Sequence, residues 1–284
     1  MTVTQHPALP YPRPTTHRQP PGVLPAVDDP LLADETPYEM YDGRLSRVAS
    51  ANPPHAIRHT EVAFVLRANT APGYISALDL KTRVDRRSEV APDASIYREG
   101  EDPRTAGRWL EELVVEVTGR QAFIVVTRKA RKLAKRGVRR ILCVRVKRAE
   151  VMEWDHAAGA WGPPLGADAT VSDVCLIRPI AVAALLDAAV ANNEAALGLL
   201  KKKPPAIVEA LQNARNGGIA EGIAQGIAQA VLMVLDARAV AVSERARAAI
   251  LACGDVEVLR QWMAGAATAT SGDALVKPPR RPSR

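Results

Sequence analysis

The period of hydrophobic and polar positions changes several times along the chain, and each change marks an element. Up to about residue 35 there is no period. "HPALPYPRPTTHRQPPGVLP" is rich in proline, which removes backbone donors and blocks helix, so residues 1–35 are expected to be a disordered or extended leader. "TPYEMYDGRLSRV" begins the structured part. Thr36 is placed to cap a short helical turn, and Asp42-Gly43 reads as a tight turn into a strand. In "AIRHTEVAFVLRANTA" the residues Ile57, Val62, Val65 and Leu66 fall at helical spacing. "YISALDLKTRV", "VAPDASIYRE" and "LEELVVEV" read as three strands. Helical spacing returns from Ile124 to Arg136, and Gly137 ends it, as glycine commonly does. "RRILCVRVKR" and "EVMEWD" are two further strands, read as a hairpin. Helix, three strands, helix and two strands make a mixed α/β layer.

Beyond about residue 170 the pattern becomes helical throughout. "PIAVAALLDAAVANNEAALGLL" is an Ala-Leu helix, and "KKKPP" at 201–205 is a boundary. Residues 186–205 are read as a helical linker, 206–264 as a helical appendix and 265–284 as a disordered basic tail. Gly218, Gly222 and Gly226 recur every fourth residue. They place a smooth face where another backbone can approach, or they make a weakly helical connector. The connector is favoured, because each mid-helix glycine costs about 1 kcal/mol relative to alanine. Ser243 looks like an N-cap and Trp262 like a packing anchor. Val231, Leu232, Val234 and Leu235 need a surface to bury against, and a homodimer through the C-terminal helices is expected. The apolar run "IRPIAVAALLDAAVA" is broken by Arg178, Pro179 and Asp187, so no membrane span is expected.

Charge alters this picture at one place. The chain of 284 residues carries 38 Lys and Arg against 31 Asp and Glu, a formal net charge of +7. Between Arg128 and Arg148 there are eleven basic residues and no acidic one. Such clustering favours a polyanion partner. The candidate nucleic-acid contacts are Arg128, Arg131, Lys132, Lys135, Arg136, Arg139 and Arg140. Cys143, Cys175 and Cys253 are too scattered for a zinc site or disulfide framework, which suits a reducing cytoplasm.

Candidate chemistry centres on two acids. Asp93 follows Pro92, and Glu116 sits inside the apolar run "LVVEV". If the two strands are neighbours, both carboxylates converge at one end of the sheet. Unpaired, they would repel and lose hydration, and a divalent cation removes both costs. Hard oxygen ligands suit magnesium, which takes one or two carboxylates and keeps several waters. Each acid alone also has an ordinary reading: Asp after Pro ends strands, and a strand Glu can face solvent or pair with arginine. Lys129 is the third candidate. Val126, Ala130 and Leu133 define the sheet-facing stripe of their helix, and Lys129 lies on its border. Arg128, Arg131 and Lys135 point to the far side.

"YEMYDGRL", a His after a Pro-rich turn, "APDASIY", "LVVEV" and a Lys eight residues before a "GV" that leads into a strand occur here in order. This succession resembles the putative restriction endonuclease family, the Uma-type proteins of the PD-(D/E)XK nuclease superfamily, over about residues 36–185. The resemblance implies a restriction-endonuclease-like mixed α/β sheet flanked by helices, with a helical C-terminal appendix. It implies an endonuclease that cleaves DNA with Mg or Mn. Asp93 and Glu116 would be the metal-binding acids and Lys129 the lysine of the site, with Glu39 and His59 as accessory residues. The superfamily usually places its lysine two residues after the acid, where this chain has Thr118, and an Asp that the family often has downstream is absent. These departures keep a second reading open: a catalytically inactive nuclease fold acting as a nucleic-acid-binding or assembly module.

Overall fold

A computed structural model describes residues 24–33, 36–48, 52–119 and 123–276. The chain divides into two units, Met1–Lys202 and Lys203–Arg284.

In the first unit Asp42 and Gly43 take φ of 53° and 81°. That left-handed pair is what a two-residue hairpin needs, and it joins β1 (Tyr38–Tyr41) to β2 (Arg44–Arg47). Thr36 therefore leads into a strand and caps no helix. Helix α1 (Pro53–Asn69) starts at Asn52, whose side chain accepts from His55 N at 3.3 Å. Val62, Val65 and Leu66 are buried along it, but Ile57 is 60% exposed. Five residues before Val62, it lies about 140° round the helix, outside the buried stripe.

The next two expected strands are each broken, and each contributes to two sheets. "YISALDLKTRV" becomes β3 (Tyr74–Leu78) and β4 (Thr82–Asp85), separated where Asp79 takes φ of 49°. "VAPDASIYRE" lies over β5 (Ser88–Val90) and β6 (Ala94–Arg98), separated at Pro92. A left-handed residue and a proline cannot continue a paired strand, so both chains change sheet there. After a short hairpin of two-residue strands, β7 (Glu101–Asp102) and β8 (Gly107–Arg108), come β9 (Glu111–Thr118) and α2 (Phe123–Arg136). Gly137, at φ 117°, closes α2 by donating to Leu133 O at 3.1 Å. Strands β10 (Arg140–Arg145), β11 (Glu150–Asp155) and β12 (Ala160–Pro164) follow; β10 and β11 pair as the expected hairpin, whereas β12 was not foreseen. A short pair, β13 (Thr170–Val171) and β14 (Ile180–Ala181), precedes α3 (Ala188–Lys202).

The large sheet runs β12-β11-β10-β9-β6-β3, and β9 and β10 are its parallel pair, linked by α2. The small sheet runs β2-β1-β5-β4. Leu113, Val115 and Val117 of β9 pack with Val62, Val65 and Leu66 of α1. Val114 packs on the opposite face with Ala130 and Leu133 of α2 and with Tyr41, Val84 and Val90 of the small sheet. The segment 186–205, expected as a linker, contains α3, whose Ala191 and Ala195 are buried. α3 lies backbone to backbone against α1, since a Cβ at Gly198 would stand 2.6 Å from the Ala68 carbonyl oxygen.

The end of the expected leader also has fixed partners. Val27 is buried, its carbonyl accepts from Arg83 N at 2.8 Å, and Asp28 accepts from Arg108 N at 2.8 Å. Backbone groups without a sheet of their own are satisfied there by the body. The rest of that segment, 1–23 and 34–35, lies outside the described residues.

The second unit is α4 (Pro205–Ala237), α5 (Glu244–Leu251), α6 (Val256–Ala266) and α7 (Gly272–Leu275). Gly218, Gly222 and Gly226 lie within the continuous helix α4, so the weakly helical connector is not what forms. Good helix formers separate the glycines, and Ala224, Ala228, Val231 and Leu235 are buried with Ile250 and Leu259. Beyond the helix's own neighbouring backbone, no described heavy atom comes within 4 Å of where a Cβ would stand at these glycines. Ser243 caps α5 by accepting from Ala246 N at 3.2 Å, and Trp262 packs against this core. By length and composition α4 is long and apolar enough to cross a membrane. Of the expected basic tail, residues 265–276 are ordered: Arg238 Nη1 donates to the Ala266 and Ala269 carbonyls at 2.7 and 2.8 Å. Residues 277–284 lie outside the described ones.

Candidate active site

Strand β9 supplies the deepest member of the site. Its side chains alternate, so Glu116 shares the face of Val114, the face covered by α2. Lys129 stands on the buried side of α2 with Val126, Ala130 and Leu133. Its Nζ donates in three directions: to Glu39 Oε1 at 2.9 Å, to Glu116 Oε2 at 3.2 Å and to the Ala91 carbonyl at 2.8 Å. All three ammonium protons are used. Glu39 comes from β1, and it is held in turn by Tyr41 Oη at 2.8 Å and Ala91 N at 3.0 Å. The lysine expected on the border of its helix stripe is thus buried, and it ties the small sheet to the large one.

Asp93, the residue before β6, comes beside Glu116. Ala94 pairs with Val115, and Asp93 and Glu116 are the residues next outward on the two segments. Asp93 Oδ2 accepts from Val117 N at 2.6 Å, which fixes the carboxylate against β9. His59, on α1, donates from Nε2 to the Asp93 carbonyl at 2.5 Å. Asp79, at the break between β3 and β4, brings its carboxylate to the same place. One ligand atom from each of His59, Asp79 and Asp93 lies within 4.8 Å of the others. All five expected residues (Glu39, His59, Asp93, Glu116, Lys129) therefore gather at one end of the large sheet.

The charge balance of this region is negative. Glu116 and Glu39 are buried on one ammonium, and Asp93 adds a third carboxylate. Glu116 Oε1 is buried without a hydrogen-bond partner. Burial, reinforced by Asp93 and Glu39 and opposed by Lys129, pushes the Glu116 carboxyl up to about 8. Burial works against the Lys129 charge, but Glu116, Glu39 and Asp93 outweigh it and hold the amine protonated. The Asp79 carboxyl is raised, first by desolvation and then by Asp93, with His59 opposing. A surplus of carboxylates with an unpartnered oxygen is the donor set a hard divalent cation fits.

Asp79 and Tyr41 were not anticipated. Asp79 carried a signal, an acid between two leucines in a supposed strand and of a residue type that tolerates the left-handed conformation. Tyr41 lies two residues after Glu39 on β1, so it shares its face.

The basic run does not form one free patch. Arg139 pairs with Asp173 at 2.7 Å and Glu112 at 3.0 Å, and Arg140 with Glu153 at 2.8 Å. Lys132 bridges Asp42 and Asp85 at 2.5 and 2.9 Å, and Arg136 donates to Pro25 O at 2.5 Å. Arg128 lies over the Tyr41 ring, 3.7 Å from its centroid. Arg131 and Lys135 are exposed and make no ion pair among the described residues.

No curated protein matches this chain. A solved structure described as a putative nuclease belonging to DUF820, from Anabaena variabilis ATCC 29413, is similar over 54% of this chain and 90% of that one, at 13% identity and a TM-score of 0.43. Residues 28–174 match the family Uma2, described as "Putative restriction endonuclease". That match spans more than half of the chain, and the protein belongs to this restriction-endonuclease-like nuclease family.

Proposed function

We propose that the protein is a divalent-metal-dependent endonuclease that hydrolyses phosphodiester bonds of DNA in the cytoplasm. The observation that carries this reading is the meeting of Asp93 and Glu116 beside β9, where Asp93 accepts from Val117 N, Lys129 is bonded to Glu116 and one Glu116 oxygen is left without a partner. Asp93 and Glu116 would hold Mg or Mn. When bound, such an ion polarises a phosphate oxygen and lowers the pKa of an attacking water. Lys129 orients Glu116 and supplies a fixed positive charge where the phosphate gains negative charge. Glu39, Tyr41 and the Ala91 carbonyl hold the ammonium in place, so no reorganisation is needed at the moment of reaction. Arg131 and Lys135, exposed and unpaired among the described residues, are the members of the basic run best placed to meet DNA phosphates. A homodimer through the C-terminal helices would let two such sites act on two strands.

The test is cleavage of supercoiled plasmid by the purified full chain with magnesium or manganese. Glu116→Ala and Asp93→Asn are expected to abolish it, and cleavage that survives both sinks the assignment. One observation favours the second reading, a catalytically silent DNA-binding module: Lys129 is almost fully buried and all its protons are taken. DNA binding with no manganese uptake at millimolar concentration would select that reading.

A further inference from the structure

We infer that His59 and Asp79 join Asp93 as ligands of the divalent cation, and that the imidazole makes this a site for a first-row transition ion such as manganese in preference to magnesium. The inference rests on the reading of Asp93 and Glu116 as metal-binding acids.

Three separate segments bring the donors together: α1 carries His59, the break after β3 carries Asp79, and the residue just before β6 is Asp93. One ring nitrogen of His59 and one carboxylate oxygen from each of Asp79 and Asp93 lie within 4.8 Å of one another. Three donors around one ion with bonds of about 2.1 Å stand about 3.0 to 3.6 Å apart, so closure needs each donor to move inward by up to about 1 Å.

The hydrogen bonds around the donors are those of ligands held from behind. A carbonyl oxygen only accepts, so His59 must carry its proton on Nε2 to reach the Asp93 carbonyl. In the neutral ring this leaves the lone pair on Nδ1. Metal-ligating histidines are usually fixed by such a bond from the other ring nitrogen. Asp93 has Oδ2 committed to Val117 N, which leaves Oδ1. Independently, the buried and unpartnered Glu116 Oε1 belongs to the residue next to Val117, whose N–H holds Asp93. When ionised, Glu39, Asp79, Asp93 and Glu116 set four negative charges against the one ammonium of Lys129. A divalent ion offsets most of that surplus.

Imidazole separates the candidate ions. Magnesium prefers oxygen donors throughout, whereas first-row transition ions accept nitrogen readily. A histidine that only braced a carbonyl would not alter that selectivity.

The experiment uses the full chain with manganese and magnesium as probes, by titration calorimetry and by electron spin-echo spectroscopy of bound manganese. Wild type is expected to bind manganese at least about tenfold more tightly than magnesium and to show a directly bound ligand nitrogen. His59→Ala should lose that nitrogen signal and about 10- to 100-fold of manganese affinity, while magnesium affinity moves less than about threefold. Asp79→Asn should weaken both ions. Manganese bound to wild type without a nitrogen signal overturns the inference and leaves the carboxylate reading standing. No manganese binding at millimolar concentration overturns both. The wild-type echo decides by itself, so a variant that fails to fold leaves the test intact.

Discussion

Glu111 and Glu116 lie at the two ends of β9, both about 1% exposed and both with one buried oxygen lacking a partner. Their surroundings are electrically opposite. Glu111 meets Arg108 at 2.8 Å, accepts from the Thr82 hydroxyl, and has Arg136 within electrostatic reach. Cations outnumber anions there. Around Glu116 the anions outnumber the cation, with Glu39 and Asp93 sharing Lys129. Burial and an orphaned oxygen therefore do not mark a site by themselves. The local sum of charge does: a buried carboxylate among arginines braces the fold, and one among carboxylates is suited to an added cation.

This contrast breaks most readily on activity. Glu116→Gln is expected to lower metal-dependent plasmid cleavage by at least about a hundredfold. Glu111→Gln, assayed at equal folded protein, should stay within about threefold of wild type, since it touches none of the reacting groups. Equal losses in both would show that local charge does not distinguish the two ends.

Stability should reverse the order. Glu111→Gln leaves Arg108 buried beside a neutral group, at a cost of about 3 kcal/mol in urea unfolding. In metal-free protein at neutral pH Glu116→Gln replaces a carboxyl that burial keeps largely protonated, and Glu39 still holds Lys129. It should cost less than about 1 kcal/mol or stabilise.

pH gives a further separation. The folded carboxyl of Glu116 is raised from 4.5 to about 8, so the folded state binds its proton more tightly than the unfolded chain. The stability this provides is fully present below pH 4.5 and is lost as pH rises through about 8. Metal-free wild type should therefore lose stability across that window relative to Glu116→Gln, and parallel denaturation series at pH 5 to 8 would reveal it. Identical pH dependence would mean that Glu116 is charged throughout.

The smallest effects come from single hydroxyls. Thr82→Val at the Glu111 end and Tyr41→Phe at the Glu116 end each remove a hydrogen bond to a buried carboxylate, worth about 1 to 2 kcal/mol. Urea midpoints should fall in both, and cleavage by Thr82→Val should be unchanged.

What the chain revealed in advance follows the range of the forces involved. α1, β9, α2 and Gly137 are local patterns, and they form where periodicity places them. The convergence of Asp93, Glu116 and Lys129 followed once β6 and β9 were assumed to be neighbours. The breaks at Asp79 and Pro92 were missed because the apolar residues on either side of each read as one strand. Only the second sheet reveals that the chain changes partners there. Pairing of Arg139 and Arg140 with Asp173, Glu112 and Glu153 was illegible for the same reason, since their partners come from other strands and loops. The α4 glycines misled in the other direction: their individual cost was visible, but the packing that offsets it was not.

The three acceptors of Lys129 have a consequence for the making of the protein. Glu39, Ala91 and Glu116 all precede the lysine, and they lie on separate segments of the chain. A growing chain that has left the ribosome only as far as β9 has the acids but lacks the ammonium that organises them. Contacts so distant in sequence form once both sheets have docked. The Lys129 network is therefore complete only once α2 has docked beside both sheets.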